Sequence, residues 1–422
     1  MNDRLSVLWH FVRTRWLPSP GVLARERRYR RFLARVRRES PFYRERDEIP
    51  ILTKSEFLSH FSELNRFGIS LEEATDVALR AERERDFRPE LSGGITVGFS
   101  SGTSGTRHVF LVGPSERCRW AGEMFARMLD PASLRQILNP FARPLRLAFF
   151  LRASSNLYTT LASRRVKFDY YDLTKPFSEL MSDLSLAPPD VLIAPATVLA
   201  EIAKAAPPIR PRQVISVAEV LDARDRSLVE QWASVRVAEV YQATEGFLGS
   251  SCRAGRMHLN EETLHIERFP IGDSGDRFHP VITDLARSTQ WFVRHRLNDV
   301  LILDPSHCPC GRRTTTLRSI EGRAEEVMWL PANSGTLAPV FPDLVRQAIY
   351  ALEVPPDRYR IEQHGMRWEV RMQGGEERLV ASALLAIANR NGLTPPEIGF
   401  LPWTDQAPAE KQKRIRCLEK PI

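Results

Sequence analysis

The run Phe99-Ser100-Ser101-Gly102-Thr103-Ser104-Gly105-Thr106 constrains this chain more than any other stretch. Gly93, Gly94 and Gly98 precede it, and the apolar Val109-Phe110-Leu111-Val112 follows. Glycines admit positive φ and close backbone approach, so successive N–H groups can turn inward as an anion cradle. Ser and Thr hydroxyls add donors that can follow phosphate oxygens as charge moves. The same composition also makes plain linkers. A Walker A loop is excluded, because no lysine follows Gly105. A triphosphate-binding reading therefore stands or falls on whether later stretches complete a nucleotide site.

At 422 residues the chain can bury two or three cores, and 43% hydrophobic with 27% charged residues is an ordinary soluble composition. No run reaches the ~18 apolar residues of a membrane span. The first apolar stretch contains His10 and Arg13 and ends without a small-residue cleavage site, which argues against a secretory signal. Five cysteines at uneven spacing make no disulfide framework, so a cytoplasmic, reducing location is expected.

The net charge of +8 is concentrated: residues 13–46 hold twelve arginines against three glutamates. Leu5, Leu8, Trp9, Val12 and Trp16 fall at helical spacing, and Pro18-Ser19-Pro20-Gly21 ends that helix. Val22, Tyr29, Phe32, Leu33 and Val36 mark a second helix with arginines between them. This basic helical extension, residues 1–46, is expected to pack on the main body with its arginines in solvent. An acidic carrier protein, an anionic membrane surface or nucleic acid could meet such a face. Nucleic acid ranks last, because basic and aromatic residues do not interleave as in an RNA-binding surface.

Ser40-Pro41-Phe42-Tyr43-Arg44, Ile49-Pro50-Ile51-Leu52-Thr53-Lys54 and Phe57 read as a turn, an extended segment and a helix start. Thr53 is a candidate N-cap with Glu56 three residues on. From residue 145, apolar runs alternate with helical patterns: 145–151, 191–194, 214–217 and 235–241 read as strands. Alternation of this kind predicts an α/β body of mixed, largely parallel sheets with ligands at strand carboxyl ends.

The strand at 235–241 runs into Tyr241-Gln242-Ala243-Thr244-Glu245-Gly246. A carboxylate at a strand end beside a triphosphate is a hard-oxygen ligand for Mg²⁺. Cys252-x5-His258 together with Cys308-x-Cys310 offers soft N/S ligands for a closed tetrahedral Zn²⁺, with buried free thiols as the other reading. Cys118 and Cys417 are left over.

In order and approximate spacing, these stretches resemble the adenylate-forming (acyl-CoA synthetase and luciferase-like) superfamily from about residue 40 to 415. Ser100–Gly105 is similar to its Ser/Thr-Ser-Gly-Thr-Thr/Ser-Gly phosphate loop. Tyr241–Glu245 is similar to its Tyr-Gly-x-Thr-Glu motif, with Gln242 in place of glycine. Ser216-Val217-Ala218-Glu219-Val220-Leu221 is similar to its Ser-Gly-Ala-Glu-x-Leu segment, with Val217 in place of glycine. Arg294–Asp299 corresponds to Tyr-Arg-Thr-Gly-Asp, and Ile320–Glu326 to a Gly-Arg-x-Asp hinge with Glu325 in place of aspartate. Glu410-Lys411-Gln412-Lys413-Arg414-Ile415 is similar to the terminal Gly-Lys-x-x-Arg-Val/Ile of phenylacetate–CoA ligases. That enzyme and coenzyme F390 synthetase form the nearest branch, whose resemblance extends to residues 149–158 and to a comparable Cys/His set.

The resemblance implies a fold of two parts: a large N-terminal ATP- and substrate-binding domain, 1–323, and a small mobile α+β C-terminal lid, 324–422. It implies ATP and Mg²⁺ as cofactors and a structural Zn²⁺ on Cys252, His258, Cys308 and Cys310. Ser100, Ser101, Gly102, Thr103, Ser104, Gly105 and Thr106 would grip pyrophosphate. Glu219, Tyr241 and Gln242 would lie along the adenine, with Thr244 at the phosphates. Glu245 would bind Mg²⁺, Asp299 the ribose hydroxyls, and Arg323 ribose or phosphate. Lys411 would be the adenylation lysine, with Lys413 the competing assignment.

The implied reaction activates a carboxylic acid, aryl by its nearest branch, as an acyl-adenylate. The acyl group then passes to a thiol of CoA or of an acyl carrier protein. AMP transfer to a hydroxyl is the alternative chemistry, and a non-catalytic nucleic-acid-binding or scaffold protein the alternative class. A homodimer is compatible with this reading, whereas specific nucleic-acid binding and a transmembrane segment are not expected.

Overall fold

The computed structural model describes residues 3–87, 90–99, 108–151, 160–271, 275–323, 326–333, 335–404 and 414–421. The chain divides into two compact units, one of Met1–Pro270, Pro280–Leu297 and Leu303–Arg318, the other of Ile271–His279, Asn298–Ile302 and Ser319–Ile422.

In the first unit, Val166–Asp172, Leu145–Leu151, Val191–Pro195, Gln213–Val217 and Val237–Ala243 lie side by side in that order, all parallel. Parallel neighbours need crossovers, and helices Phe177–Leu186, Ala196–Ala205 and Ala223–Ala233 supply three of them. The apolar runs of the inner strands Leu145–Leu151 and Val191–Pro195 follow from burial on both faces, whereas the edge strand Val166–Asp172 carries Lys167, Asp169 and Asp172. Ala148, Phe150, Leu192, Ala194 and Val214 face the crossover helices. Leu145, Leu147, Val191 and Ile215 face the opposite side, with Met128, Leu129 and Trp120.

The direction of the sheet changes after Ala243. Gly246–Ser251 returns antiparallel, pairing Ala243 with Gly246, and Met257–Leu259 follows antiparallel beside it. A separate antiparallel pair joins Thr96–Phe99 to Val109–Val112, with Phe99 opposite Val109. The glycine/serine stretch Ser100–Thr106, which separates these strands in sequence, lies outside the described residues.

The segment before these strands folds as its sequence predicts. Thr53 caps helix Lys54–Ser59 in a reciprocal box: its Oγ1 accepts from Glu56 N, and its own N–H donates to Glu56 Oε2 at 2.7 Å. The preceding Leu52 bridges to His295, with Leu52 N donating to Arg294 O at 3.0 Å.

The two N-terminal helices, α1 (Asp3–Trp16) and α2 (Val22–Glu39), form, but α1 lies the other way round from the expectation. Its buried residue is Ser6, while the stripe Leu5, Leu8, Trp9 and Trp16 is exposed. Gly122 of helix Pro114–Met128 lets the α1 backbone come close: a Cβ there would lie 2.5 Å from Val7 O. The glycine makes room for the backbone of α1, and the apolar stripe is left outside.

Ionic contacts clip this N-terminal layer to the sheet. Half-buried Glu262 accepts from Arg127 Nη2 at 3.1 Å, Arg312 Nη2 at 3.3 Å and Ser19 Oγ at 2.9 Å. Arg25 pairs with Glu261 at 2.7 Å, and Arg28 donates to Glu262 O.

The second unit carries its own α+β core. Strands Glu397–Leu401, Arg367–Gln373, Arg358–His364 and Ile415–Glu419 form a sheet in that order, antiparallel at the centre and parallel at both edges. Trp368, Val370, Ile361, Val380, Leu384 and Val345 fill the space between this sheet and helices Pro342–Tyr350 and Glu377–Arg390. Among the described residues no helix is long and apolar enough to cross a membrane.

Burial pushes the Glu262 pKa up, but Arg127 and Arg312 more than reverse it and leave it at about 2, against an ordinary 4.5. The stabilisation is therefore full above pH 4.5 and lost as pH falls towards about 2. Wild type should exceed Glu262→Gln by roughly 3 kcal/mol near pH 6. That lead should shrink steadily below pH 4.5, as read by urea unfolding across pH.

Candidate active site

The site grows from the point where the sheet changes direction. Thr244 and Glu245 are the whole of the turn between Val237–Ala243 and Gly246–Ser251, so the last parallel strand delivers Glu245 at its carboxyl end. Open α/β sheets bind ligands at such ends.

Glu245 is buried and well partnered. Its Oε1 lies 3.1 Å from His108 Nδ1 and 3.5 Å from His295 Nε2, and its Oε2 accepts from Thr244 Oγ1 at 2.8 Å. His108 begins the strand side of the glycine/serine loop, while His295 sits beside the extended segment at Leu52. The two rings are themselves buried and packed around Phe57, which stacks on Phe292 with centroids 4.7 Å apart.

Burial pushes the Glu245 pKa up, and hydrogen bonds from His108 and His295 more than reverse it, leaving the carboxyl well below its usual range. Burial lowers the pKa of His108 despite the neighbouring carboxylate, so this imidazole is neutral near pH 7 and donates Nδ1–H. Glu245 thus stays ionised without His108 cancelling its charge. A carboxylate offers about four lone-pair positions, so these bonds leave acceptor capacity for a cation.

Arg287 fixes the same corner from behind. Its Nη1 donates to Leu111 O at 2.8 Å and its Nη2 to Thr244 O at 2.7 Å. Gln290 accepts from Leu111 N at 2.9 Å, so the strand after the loop is held on both its N–H and its C=O. Glu116 accepts from Gly113 N at 2.8 Å and from Thr289 N at 2.8 Å, tying the end of that strand to the 288–290 segment.

The neighbouring strand ends carry further expected residues. Glu219 follows Val217 and Ala218, the latter in the left-handed region at φ 66°. Its Oε2 accepts from Thr197 N at 3.1 Å and Thr197 Oγ1 at 2.7 Å, tying the stretch after Gln213–Val217 to the first turn of helix Ala196–Ala205. A carboxylate over the first turn of helix Ala196–Ala205 also suits the helix dipole. Tyr241 is buried, and Gln242 Oε1 accepts from Trp120 Nε1 at 3.1 Å, so the residue standing for a glycine binds an indole.

Asp299 and Arg323 meet in the second unit, Nε to Oδ1 at 3.8 Å. His279 Nδ1 donates to Asp299 O at 2.9 Å and fixes the start of that strand. Gly322 has φ 130°, where a Cβ would meet the Glu326 carboxylate, so the bend before Arg323 requires glycine. Ala324 and Glu325 of the expected hinge, Lys411 with its competitor Lys413, and residues 152–158 lie outside the described residues.

Cys252, His258, Cys308 and Cys310 come together in the first unit, their ligand atoms all within 4.8 Å of one another. Cys252 Sγ is 3.6 Å from Cys308 Sγ, and Cys310 Sγ 3.4 Å from His258 Nε2. Zn–S bonds of about 2.3 Å in a tetrahedron give edges of about 3.5–3.8 Å. Turns at Gly255 and Gly311, both at positive φ, aim the thiols inward. Backbone N–H groups of Ala254 and Arg312 donate to Cys252 and Cys310 sulfur. His258 Nδ1 lies 3.2 Å from Thr314 Oγ1, the outer-shell contact that leaves Nε2 free to ligate. All five cysteines are free thiols.

Sequence reasoning missed His108, His295 and Arg287. No motif marks them. The available signal was position: His108 closes the loop, and His295 lies within the Arg294–Asp299 stretch.

No protein-family model matches the chain, and no curated protein matches it in sequence. Solved structures do match. A 2-hydroxyisobutyryl-CoA ligase in its postadenylation state, bound to the adenylate R3-HIB-AMP, superposes with a TM-score of 0.62 at 15% identity, covering 97% of this chain and 91% of that one. The same ligase in an open conformation with 2-HIB-AMP and CoA gives 0.57 at 14% identity over 94% and 91%. The amide bond synthetase McbA from Marinactinospora thermotolerans gives 0.51 at 10% identity over 74% and 66%. At such identities the likeness is one of fold. The chain has the fold of the adenylate-forming ligases, with a large N-terminal multi-strand sheet and a smaller C-terminal domain.

His108→Ala removes one donor from a buried carboxylate and should cost about 2 kcal/mol of stability. Combining it with Glu245→Gln, which removes the charge, should cost at least about 1 kcal/mol less than the sum of the single changes. A double-mutant cycle by chemical denaturation measures the difference.

Proposed function

We propose that this protein is an ATP-dependent adenylate-forming ligase that activates a carboxylic acid as acyl-AMP and transfers the acyl group to a thiol. One observation carries the reading. His108, at the end of the glycine/serine loop, lies 3.1 Å from Glu245, so two stretches 137 residues apart become one corner of a single site. The likeness of fold to a ligase solved with acyl-adenylates supports the same chemistry.

In the first step an oxygen of the substrate carboxylate attacks the α-phosphorus of ATP, and pyrophosphate leaves. Such a transfer asks for positioning and charge stabilisation more than covalent help from the protein. Ser100–Thr106 would hold the departing phosphates through backbone N–H and hydroxyl donors. Thr244 would donate beside them, and Asp299 would accept the ribose hydroxyls, with Arg323 at ribose or phosphate. Tyr241 and Glu219 would border the base, and Lys411 would stabilise charge developing at the α-phosphate. Glu245 would hold Mg²⁺, which when bound neutralises phosphate charge. The second step passes the acyl group to the sulfur of CoA or a carrier phosphopantetheine, releasing AMP. Aryl acids are the first class to test, following the phenylacetate–CoA branch that the motifs resemble most.

The test is acid-dependent exchange of labelled pyrophosphate into ATP. Wild type should catalyse it with one class of acid, and Lys411→Ala should lower it by about 100-fold or more. Glu245→Gln should raise the Mg²⁺ concentration needed. Absence of exchange across aryl, hydroxy and fatty acids would overturn the reading, as would an undiminished Lys411→Ala protein.

We further propose that Cys252, His258, Cys308 and Cys310 hold a structural Zn²⁺, their four ligand atoms leaving no open coordination position. Purified protein should carry about one zinc per chain by elemental analysis. Cys308→Ser should lose it and unfold at lower temperature, whereas Cys118→Ser should retain it.

A further inference from the structure

The outward stripe of α1 has no role in the ligase reading, and the inference drawn from it is independent of that reading. Close approach at Gly122, where a Cβ would lie 2.5 Å from Val7 O and 2.9 Å from Phe11 N, fixes which side of α1 faces the body. Leu5, Leu8, Trp9 and Trp16 are consequently turned away, at 59%, 53%, 55% and 62% exposure. Leu17, Val22 and Leu23 carry the patch through the connection into α2 at 55%, 71% and 76%. These seven are drawn from 19 exposed large hydrophobics among the described residues, yet all lie within the first 23 positions. The rest are scattered along the chain, as on an ordinary surface.

α2 adds charge to this apolar patch. It buries Phe32 and Val36, while Arg27, Arg30, Arg31, Arg37 and Arg38 are exposed. Among the described residues only Arg30 of these five pairs with a carboxylate, that of Glu26. Arg13 is likewise exposed beside the stripe of α1. The local excess noted in the sequence is therefore an outward-facing cationic helix face that directly follows the exposed Leu and Trp residues along the chain.

We infer that α1 and the outer face of α2 form a docking surface for an anionic lipid bilayer, with the chain lying on the membrane rather than crossing it. Leu and Trp side chains enter the boundary between headgroups and acyl chains, where an indole places its N–H in the wet layer. Arginines around them reach lipid phosphates, and their stems cover apolar surface. A second copy of this chain fits less well, because it would oppose two cationic faces. Nucleic acid would leave the Leu and Trp stripe in water.

Vesicle flotation with the full chain tests this. Protein should float with vesicles of phosphatidylcholine mixed with phosphatidylglycerol, stay behind with phosphatidylcholine alone, and release as salt rises. Leu8→Ser/Trp9→Ser and Arg27→Glu/Arg31→Glu should each weaken binding about tenfold or more. Because these side chains are exposed, melting temperature should not move, which separates lost docking from lost folding. Equal binding to both vesicle types, or unchanged binding by both variants, would overturn the inference. So would the absence of flotation alongside a concentration-dependent dimer that Leu8→Ser/Trp9→Ser abolishes, or equally tight binding of DNA by that variant.

Discussion

One buried negative charge organises the first unit. An ionised carboxylate out of water is costly unless hydrogen bonds surround it, and breaking such a set strands the charge. Glu245 meets that requirement with partners from distant places in the chain: His108 after the loop, His295 beside Leu52, and its own neighbour Thr244. Each partner is useful only if its own stretch is fixed, and each stretch is. Gln290 and Arg287 hold Leu111, Leu52 pairs around His295, and Phe57 and Phe292 wall the histidines. The geometry of the loop base is thus set by a need for charge compensation, not by the loop's own composition.

A second ionic knot does comparable work at the N-terminal layer. Glu261 and Glu262 gather Arg25, Arg28, Arg127 and Arg312, drawing α2, helix Pro114–Met128 and the cysteine loop onto one turn. Arginines that read in sequence as a uniform basic block therefore divide by function. Arg25 and Arg28 are fasteners, and those on the opposite side of α2 are surface. Helical position separates the two groups, because Arg25 and Arg28 lie on the same side as Phe32 and Val36.

Much of the parallel sheet was legible because strands buried on both faces are continuously apolar and their crossovers are helical. The Thr53 cap was legible because a capping box has a fixed spacing. The orientation of α1 was not: periodicity locates a stripe but does not say which side meets the body, and the deciding residue, Gly122, lies in another helix. Gln242, in place of a glycine of the motif, accepts from Trp120, a partner 122 positions away that the sequence does not reveal. His108 and His295 escaped notice because their function exists only in the folded chain. That Cys252, His258, Cys308 and Cys310 gather in one place was, by contrast, readable from residue type and spacing.

The turn at Thr244–Glu245 has a further consequence for how this corner can vary. A single inserted residue would invert the pleat of Gly246–Ser251 relative to its neighbours. Gly249 already lies so close to the next strand that a Cβ would sit 2.7 Å from His258 O. Inversion or slippage would bring a leucine or serine side chain to that point, and steric exclusion would break the pairing that also positions His258. Length is consequently frozen here, and change at this corner is confined to swapping one side chain for another.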